Sequence, residues 1–249
     1  MKMKNTKLLT LLAAPLLLLT ACASQKTEET PTAEQLYNRA HDYLDRTAYK
    51  KSAETFEQVE LEYPYSRWAT DAKLMGAYAH YKNKEYDDAV ISLDRFIRFH
   101  PGNRNIAYAY YLKAICYYDQ ISDVNREQGK TKEALDALQQ LVMRFPATDY
   151  AADAKSKIIY AKENLAGKQM EIGRYYLNLD NYLSALNRFS VVTENYPETG
   201  YLPEALYRQV EIYTIIGLHD EADKAARMLQ SEFPDGEWTA RAQKVLNKG

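Results

Sequence analysis

The run YDDAVISLDRFIRFHP, residues 86–101, ends in a proline that follows a ring-bearing residue, His100. Ala89 stands twelve positions before that proline, Leu93 eight before and Tyr86 fifteen before. The same spacing recurs along the chain. Pro64, Pro146, Pro197 and Pro234 follow Tyr63, Phe145, Tyr196 and Phe233. The small residues twelve before them are Ser52, Ala134, Ala185 and Ala222. Eight before come Phe56, Leu138, Phe189 and Ala226, and fifteen before come Tyr49, Thr131, Tyr182 and His219.

Physically, this spacing describes a pair of packed helices. A small residue lets two helices approach, and the residue four later fills the gap on the same face. The proline stops the second helix, because it lacks an N–H and disfavours helix in the residue before it. A first helix upstream has its own small residue, Ala40, Ala77 or Gly173, with Val210 as the bulkier member, and then Tyr43, His80, Tyr176 or Tyr213. The arrangement resembles the tetratricopeptide repeat, a hairpin of about 34 residues. The resemblance covers residues 33 to about 246 and implies an all-α, right-handed superhelix of five such hairpins.

The prolines are 37, 45, 51 and 37 residues apart, so repeats three and four are long. The polar segment DQISDVNREQGK, 119–130, reads as an extended loop in repeat three. Repeat four has no strong breaker from Asp149 to Leu179, which predicts about four added turns on its first helix. Thr32 with Gln35 has capping-box form, and Thr148 and Thr199 are expected to cap the helices that follow them. No alternating strand pattern is present, and the 22 tyrosines are expected to fill seams between helices with their hydroxyls at the edge.

The N-terminus carries a separate signal. Lys2, Lys4 and Lys7 precede an apolar run from Leu8 to Leu19. Twelve helical residues reach about 18 Å, short of the ~30 Å hydrocarbon core, so the run reads as an export signal over 1–21. Leu19-Thr20-Ala21-Cys22 resembles the bacterial lipobox, which implies a lipid on Cys22 after cleavage before it. At about 0.8 kcal/mol per buried methylene, two or three acyl chains would hold the protein on a bilayer. By resemblance to Gram-negative lipoproteins, Ala23 favours the periplasmic face of the outer membrane. Residues 22–32 read as a lipid-anchored flexible linker, followed by repeats one and two over 33–101 and repeats three to five over 102–249.

Loss of residues 1–21 leaves 29 basic against 34 acidic residues, which argues against nucleic acid as a partner. With Cys22 acylated, Cys116 has no disulfide partner, and its apolar surroundings predict a buried thiol. His41, His80, His100 and His219 form no metal-ligand pattern, so no metal or cofactor is expected, and the chain is not expected to be an enzyme. What stacked hairpins offer is a concave wall. The columns place Tyr37, His41, Leu74, Tyr78 and Tyr81 on that wall, with Tyr65 and Trp68 at the corner between repeats one and two. This set is read either as a groove for an extended, aromatic-bearing peptide or as packing.

Four stretches sharpen the resemblance: LDRFIRFHPG at 93–102, ENLAGKQMEIGRYYL at 163–177, YLSALNRF at 182–189, and the loop CYYDQISDVNREQG at 116–129. Together they resemble the BamD family, the lipoproteins of the outer-membrane β-barrel assembly machinery. That resemblance implies binding to the POTRA domains of BamA, work alongside other machinery lipoproteins, and receipt of the C-terminal strands of unfolded barrel proteins. It also implies that the C-terminal half docks BamA and that Arg188 takes part. Asp94, Arg95 and Arg98 are expected only to bridge neighbouring repeats. Two alternatives stay open: a periplasmic repeat lipoprotein of cell-wall or pilus assembly, and a hydrolase using Asp119, Asp123 and Glu127 of the repeat-three loop.

Overall fold

The computed structural model describes residues 30–247. The export signal, Cys22 and most of the linker lie outside the described residues. Among the described residues there are eleven helices and no strand. They are α1 (Ala33–Asp45), α2 (Tyr49–Glu62), α3 (Arg67–Lys82), α4 (Tyr86–Phe99), α5 (Ile106–Tyr118) and α6 (Gly129–Arg144). There follow α7 (Asp149–Asn178), α8 (Tyr182–Asn195), α9 (Leu202–Ile215), α10 (His219–Glu232) and α11 (Glu237–Leu246). Pairs α1/α2 to α9/α10 are the five hairpins, stacked in series as a superhelix, and α11 closes the last one. No helix among the described residues is long and apolar enough to cross a membrane.

Each column has a structural cause. Ser52, Ala89, Ala134, Ala185 and Ala222 are fully buried where the two helices of a hairpin cross. Ser52 tolerates burial because its hydroxyl donates to the Ala40 carbonyl at 2.8 Å. Tyr49, Tyr86, Tyr182 and His219 are the first residues of α2, α4, α8 and α10. Phe56, Leu93, Leu138 and Phe189 are fully buried between helices, each a contribution of roughly 1.5–3 kcal/mol. Ala226 is only partly buried, since a methyl cannot fill the same gap. Thr47, Lys84, Asp180 and Gly217 occupy one shared position in the hairpin turns with φ of 57°, 63°, 54° and 79°. Three of these four left-handed turn residues are not glycine.

Helix ends follow the sequence signals with one exception. Thr32 and Gln35 form the capping box, and Thr148 accepts from the Ala151 N–H. Thr199 does not cap α9. Its hydroxyl donates to the Tyr196 carbonyl at 2.8 Å, and Tyr201 occupies the cap position. The repeat-three insertion is a loop up to Gln128, fastened where the Lys168 ammonium donates to the Asn125 carbonyl at 2.9 Å.

The 30-residue α7 changes the register of the stack. Its first half lies beside α5, with Tyr111 stacked on Tyr150 and Tyr118 against Tyr160. Its second half lies beside α8 and α9, where a side chain on Gly173 would meet Phe189 and one on Gly167 would meet Tyr201. The start of α9 is therefore about 27 Å further along α7 than the start of α7 itself, at 1.5 Å per residue.

Candidate protein-binding sites

In the first hairpin, Tyr37 and His41 lie one turn apart on α1, and the His41 Nε2 is 3.2 Å from the Tyr37 hydroxyl. Tyr37 packs on Trp68, with ring centroids 4.7 Å apart, and edge-on to the buried Phe56. The Arg67 guanidinium lies over the Trp68 ring, 4.6 Å from its centre. Burial, and then the charge of Asp71, pushes the Tyr37 phenol above its ordinary value, so it stays a neutral donor. This is a compact, half-exposed aromatic platform with a cation at its rim.

The remaining groove residues divide. Tyr78 and Tyr81 pack against the core of the second hairpin, with ring centroids 6.2 Å apart. The Tyr81 hydroxyl donates to Asp119 at 2.9 Å, and burial followed by that bond raises its pKa strongly. Leu74 is 5 % exposed and belongs to the same core, so it presents little surface to a ligand. Tyr65 stands at 102 % relative exposure in the turn before α3. The structure thus joins Tyr37, His41 and Trp68 in one group and Tyr78 with Tyr81 in another.

In the fourth hairpin, Arg188 on α8 donates from Nη1 to the side-chain Oε1 of Gln169 on α7 at 3.2 Å. It is half-buried, in a shallow cleft with Tyr176, Ser184, Asn187 and Val191. Around the turn of this hairpin, Tyr175, Leu179 and Leu183 are exposed, and Ile215 and Leu218 repeat the feature at the next turn. Behind the cleft, Arg174 grips Glu204 of α9 through Nε at 2.9 Å and Nη2 at 2.5 Å, and Arg208 adds a contact at 3.4 Å. Burial pushes the Glu204 carboxyl up, but the two arginines outweigh it and hold it below the usual range. Hairpins four and five are therefore locked together under this surface. The columns gave no hint of Trp238. It stacks on Tyr207 and carries Arg241 over its ring at 4.7 Å, so α11 is pinned across α9.

Little of the remaining polar inventory is arranged for chemistry. Asp119 accepts from Tyr81 of α3, and Asp123 accepts the Asn125 N–H and side-chain amide, so one loop acid ties to the neighbouring hairpin and another braces the loop itself. The Cys116 thiol is buried and pushed up to about 12 by burial and then Asp119, so it is unreactive near neutrality. His80, Glu85 and Asp88 are the one group with metal-ligand chemistry among the described residues. Both His80 nitrogens are already engaged, by Glu85 at 2.8 Å and Glu57 at 3.0 Å. Asp94 bridges neighbouring hairpins through Lys113 at 2.6 Å, as expected of it.

Comparison with known proteins places this architecture. The family model described as YfiO, outer membrane lipoprotein, matches residues 29–229. The outer membrane protein assembly factor BamD of Caulobacter vibrioides is 46% identical over 220 residues, covering 88% of this chain and 72% of the relative. BamD of Rickettsia prowazekii is 42% identical over 246 residues, covering 98% of each. A solved tetratricopeptide repeat protein from Parabacteroides merdae aligns with 87% of this chain and 74% of its own, at 18% identity and a TM-score of 0.38. These relatives are named as outer membrane protein assembly factors, and they disfavour the cell-wall and pilus alternatives. With nearly the whole chain matched, it belongs to the BamD family of outer membrane protein assembly factors.

Proposed function

We propose that the chain is anchored through lipid on Cys22 to the periplasmic face of the outer membrane. There it holds the POTRA domains of BamA with its C-terminal hairpins, 102–249, alongside the other machinery lipoproteins. Its N-terminal hairpins, 33–101, receive the C-terminal strands of unfolded β-barrel proteins. The observation that carries the docking half is the exposed apolar turn of hairpin four, Tyr175, Leu179 and Leu183, on the same hairpin as the Arg188 cleft. Exposed apolar surface on this scale, with an arginine on the same hairpin, is what a protein interface uses. Arg188 has five N–H donors and one neutral partner, Gln169, so donors remain for a carboxylate on the partner.

The receiving half rests on the platform of Tyr37, His41 and Trp68, with Tyr78 and Tyr81 beyond it. A strand ending in an aromatic residue and alternating apolar side chains can lay that ring against Trp68. Joining substrate and insertase on one rigid stack raises their effective concentration without any bond chemistry. The test of docking is co-purification with BamA from detergent-solubilised envelopes. Arg188→Glu is expected to reduce recovery at least tenfold, the scale of about 1.4 kcal/mol or more at an interface hot spot. Normal recovery with Arg188→Glu removes this surface from the contact.

A further inference from the structure

The odd-numbered helices lie side by side and point the same way. Tyr37 of α1 packs on Trp68 of α3, Tyr81 of α3 reaches Asp119 at the end of α5, and Tyr111 of α5 stacks on Tyr150 of α7. The starts of α1, α3, α5 and α7 therefore share one edge with the ends of α2, α4 and α6. Three turns line that edge, and they expose large apolar side chains: Leu61 at 82 %, Tyr65 at 102 %, Phe99 at 66 % and Met143 at 72 %. Between them stand four exposed arginines, Arg67, Arg98, Arg104 and Arg144, against three acids, Glu34, Glu62 and Asp149. The corresponding turns of hairpins four and five differ in kind. Residues 194–202 and 231–238 carry five acids and no basic residue.

The linker joins the stack at this same edge. Cys22 precedes Thr32, the cap of α1, by ten residues, which even fully extended span at most about 35 Å. The stagger along α7 carries the acidic turn before α9 about 27 Å away from the edge, along the helix axis. Aromatic, leucine and methionine side chains in a row, ringed by arginine, suit the headgroup boundary, where rings sit at the interface and guanidinium groups meet phosphates.

We propose that the Leu61–Tyr65–Phe99–Met143 edge of hairpins one to three rests on the phospholipid leaflet that holds the anchor, with hairpins four and five standing clear of it. The proposal rests on the lipid anchor at Cys22. Its test uses the full chain, purified from detergent-solubilised envelopes, in vesicles of phosphatidylethanolamine and phosphatidylglycerol, with no other protein present. Nitroxide labels are placed through Tyr65→Cys, Phe99→Cys and, on the opposite edge, Lys84→Cys. Cys116 is buried and does not compete for the label. At positions 65 and 99, accessibility to oxygen relative to a water-soluble nickel complex is expected to rise several-fold over the detergent-solubilised chain, while position 84 stays unchanged. Co-flotation with water-like labels at 65 and 99 overturns the edge contact and leaves the anchor standing, and points to a protein as the occupant. Failure of the chain to float overturns the anchor and this inference with it.

Discussion

Gly173 is where the fourth hairpin is most tightly closed, and Gly173→Ala measures how tightly. An added Cβ would meet the Phe189 ring at 2.6, 2.9 and 3.0 Å, and Phe189 is fully buried. Two effects compete. In a helix interior, alanine is favoured over glycine by about 1 kcal/mol. Overpacking a filled core costs roughly 1–3 kcal/mol. A ring with no free volume cannot move aside, so the second effect wins and the net loss is about 1 kcal/mol, or some 2–4 °C in Tm for a chain of this length. The assay is urea and thermal unfolding of the mature chain followed by circular dichroism. The decisive step is to repeat the substitution in a Phe189→Leu background, where the ring is gone. There Gly173→Ala should stabilise by up to about 1 kcal/mol, the propensity difference alone. The same change in both backgrounds would falsify the idea that the Gly173–Phe189 contact fixes this crossing.

Two further outcomes follow from particular residues. Thr47 holds φ at 57° in the first hairpin turn, a conformation that is costly for a β-branched residue, so Thr47→Gly should raise stability by about 0.5–1 kcal/mol in the same unfolding assay. A lower stability for that variant would show that the turn relies on the threonine side chain. Trp68→Ala removes the centre of the aromatic platform and should weaken binding of a barrel C-terminal peptide about tenfold or more in a calorimetric titration, with helicity unchanged. Equal affinity would move the receiving surface elsewhere.

The fold was legible because each tetratricopeptide crossing imposes a local requirement. A small residue must stand at 52, 89, 134, 185 or 222, and a proline must follow twelve later. The groove was less legible. Leu74, Tyr78 and Tyr81 share one face of α3, and periodicity identifies that stripe without saying which neighbour covers it. The cover is α4 with α5, which buries Leu74 and leaves the two tyrosines at the seam. Thr199 caps nothing because its turn runs two residues longer before α9 begins, and the hydroxyl finds a carbonyl first. The helix α11 carries no terminating proline, so the column that marks every other hairpin passes over it. Its Trp238 takes the role of a missing next repeat by covering Tyr207. The apolar edge of hairpins one to three was invisible for a related reason. Its members sit beside the prolines, at positions the packing leaves unconstrained.

His80 gives the stack a pH dependence whose sign can be worked out. It lies on α3, 9 % exposed, with Glu57 of α2 on one ring nitrogen and Glu85, just before α4, on the other. Asp88 lies close by, and Lys50 and Asn83 act on Glu85. A neutral imidazole has one N–H and would turn a lone pair toward one of the two carboxylates, whereas the imidazolium satisfies both. Burial alone lowers the pKa, but the two hydrogen bonds and the two charges outweigh it, and the net direction is upward. The stabilisation is therefore fully present below the unfolded value near 6.5 and is lost as pH rises through the folded value. Glu85 moves the other way. The bond to His80 holds it below its ordinary value, so its share is present above about 4.5 and is lost as pH falls through its own folded value. The pair is strongest between these limits. The stability difference between the wild-type chain and His80→Gln, measured by urea unfolding, should be largest near pH 5.5–6 and shrink steadily toward pH 9. Since the three residues join hairpin one to hairpin two, amide exchange should quicken at that junction first as pH rises, after correction for intrinsic exchange. A stability difference that stays flat from pH 6 to 9 would mean that His80 is buried neutral and that packing, not charge, holds the two hairpins together.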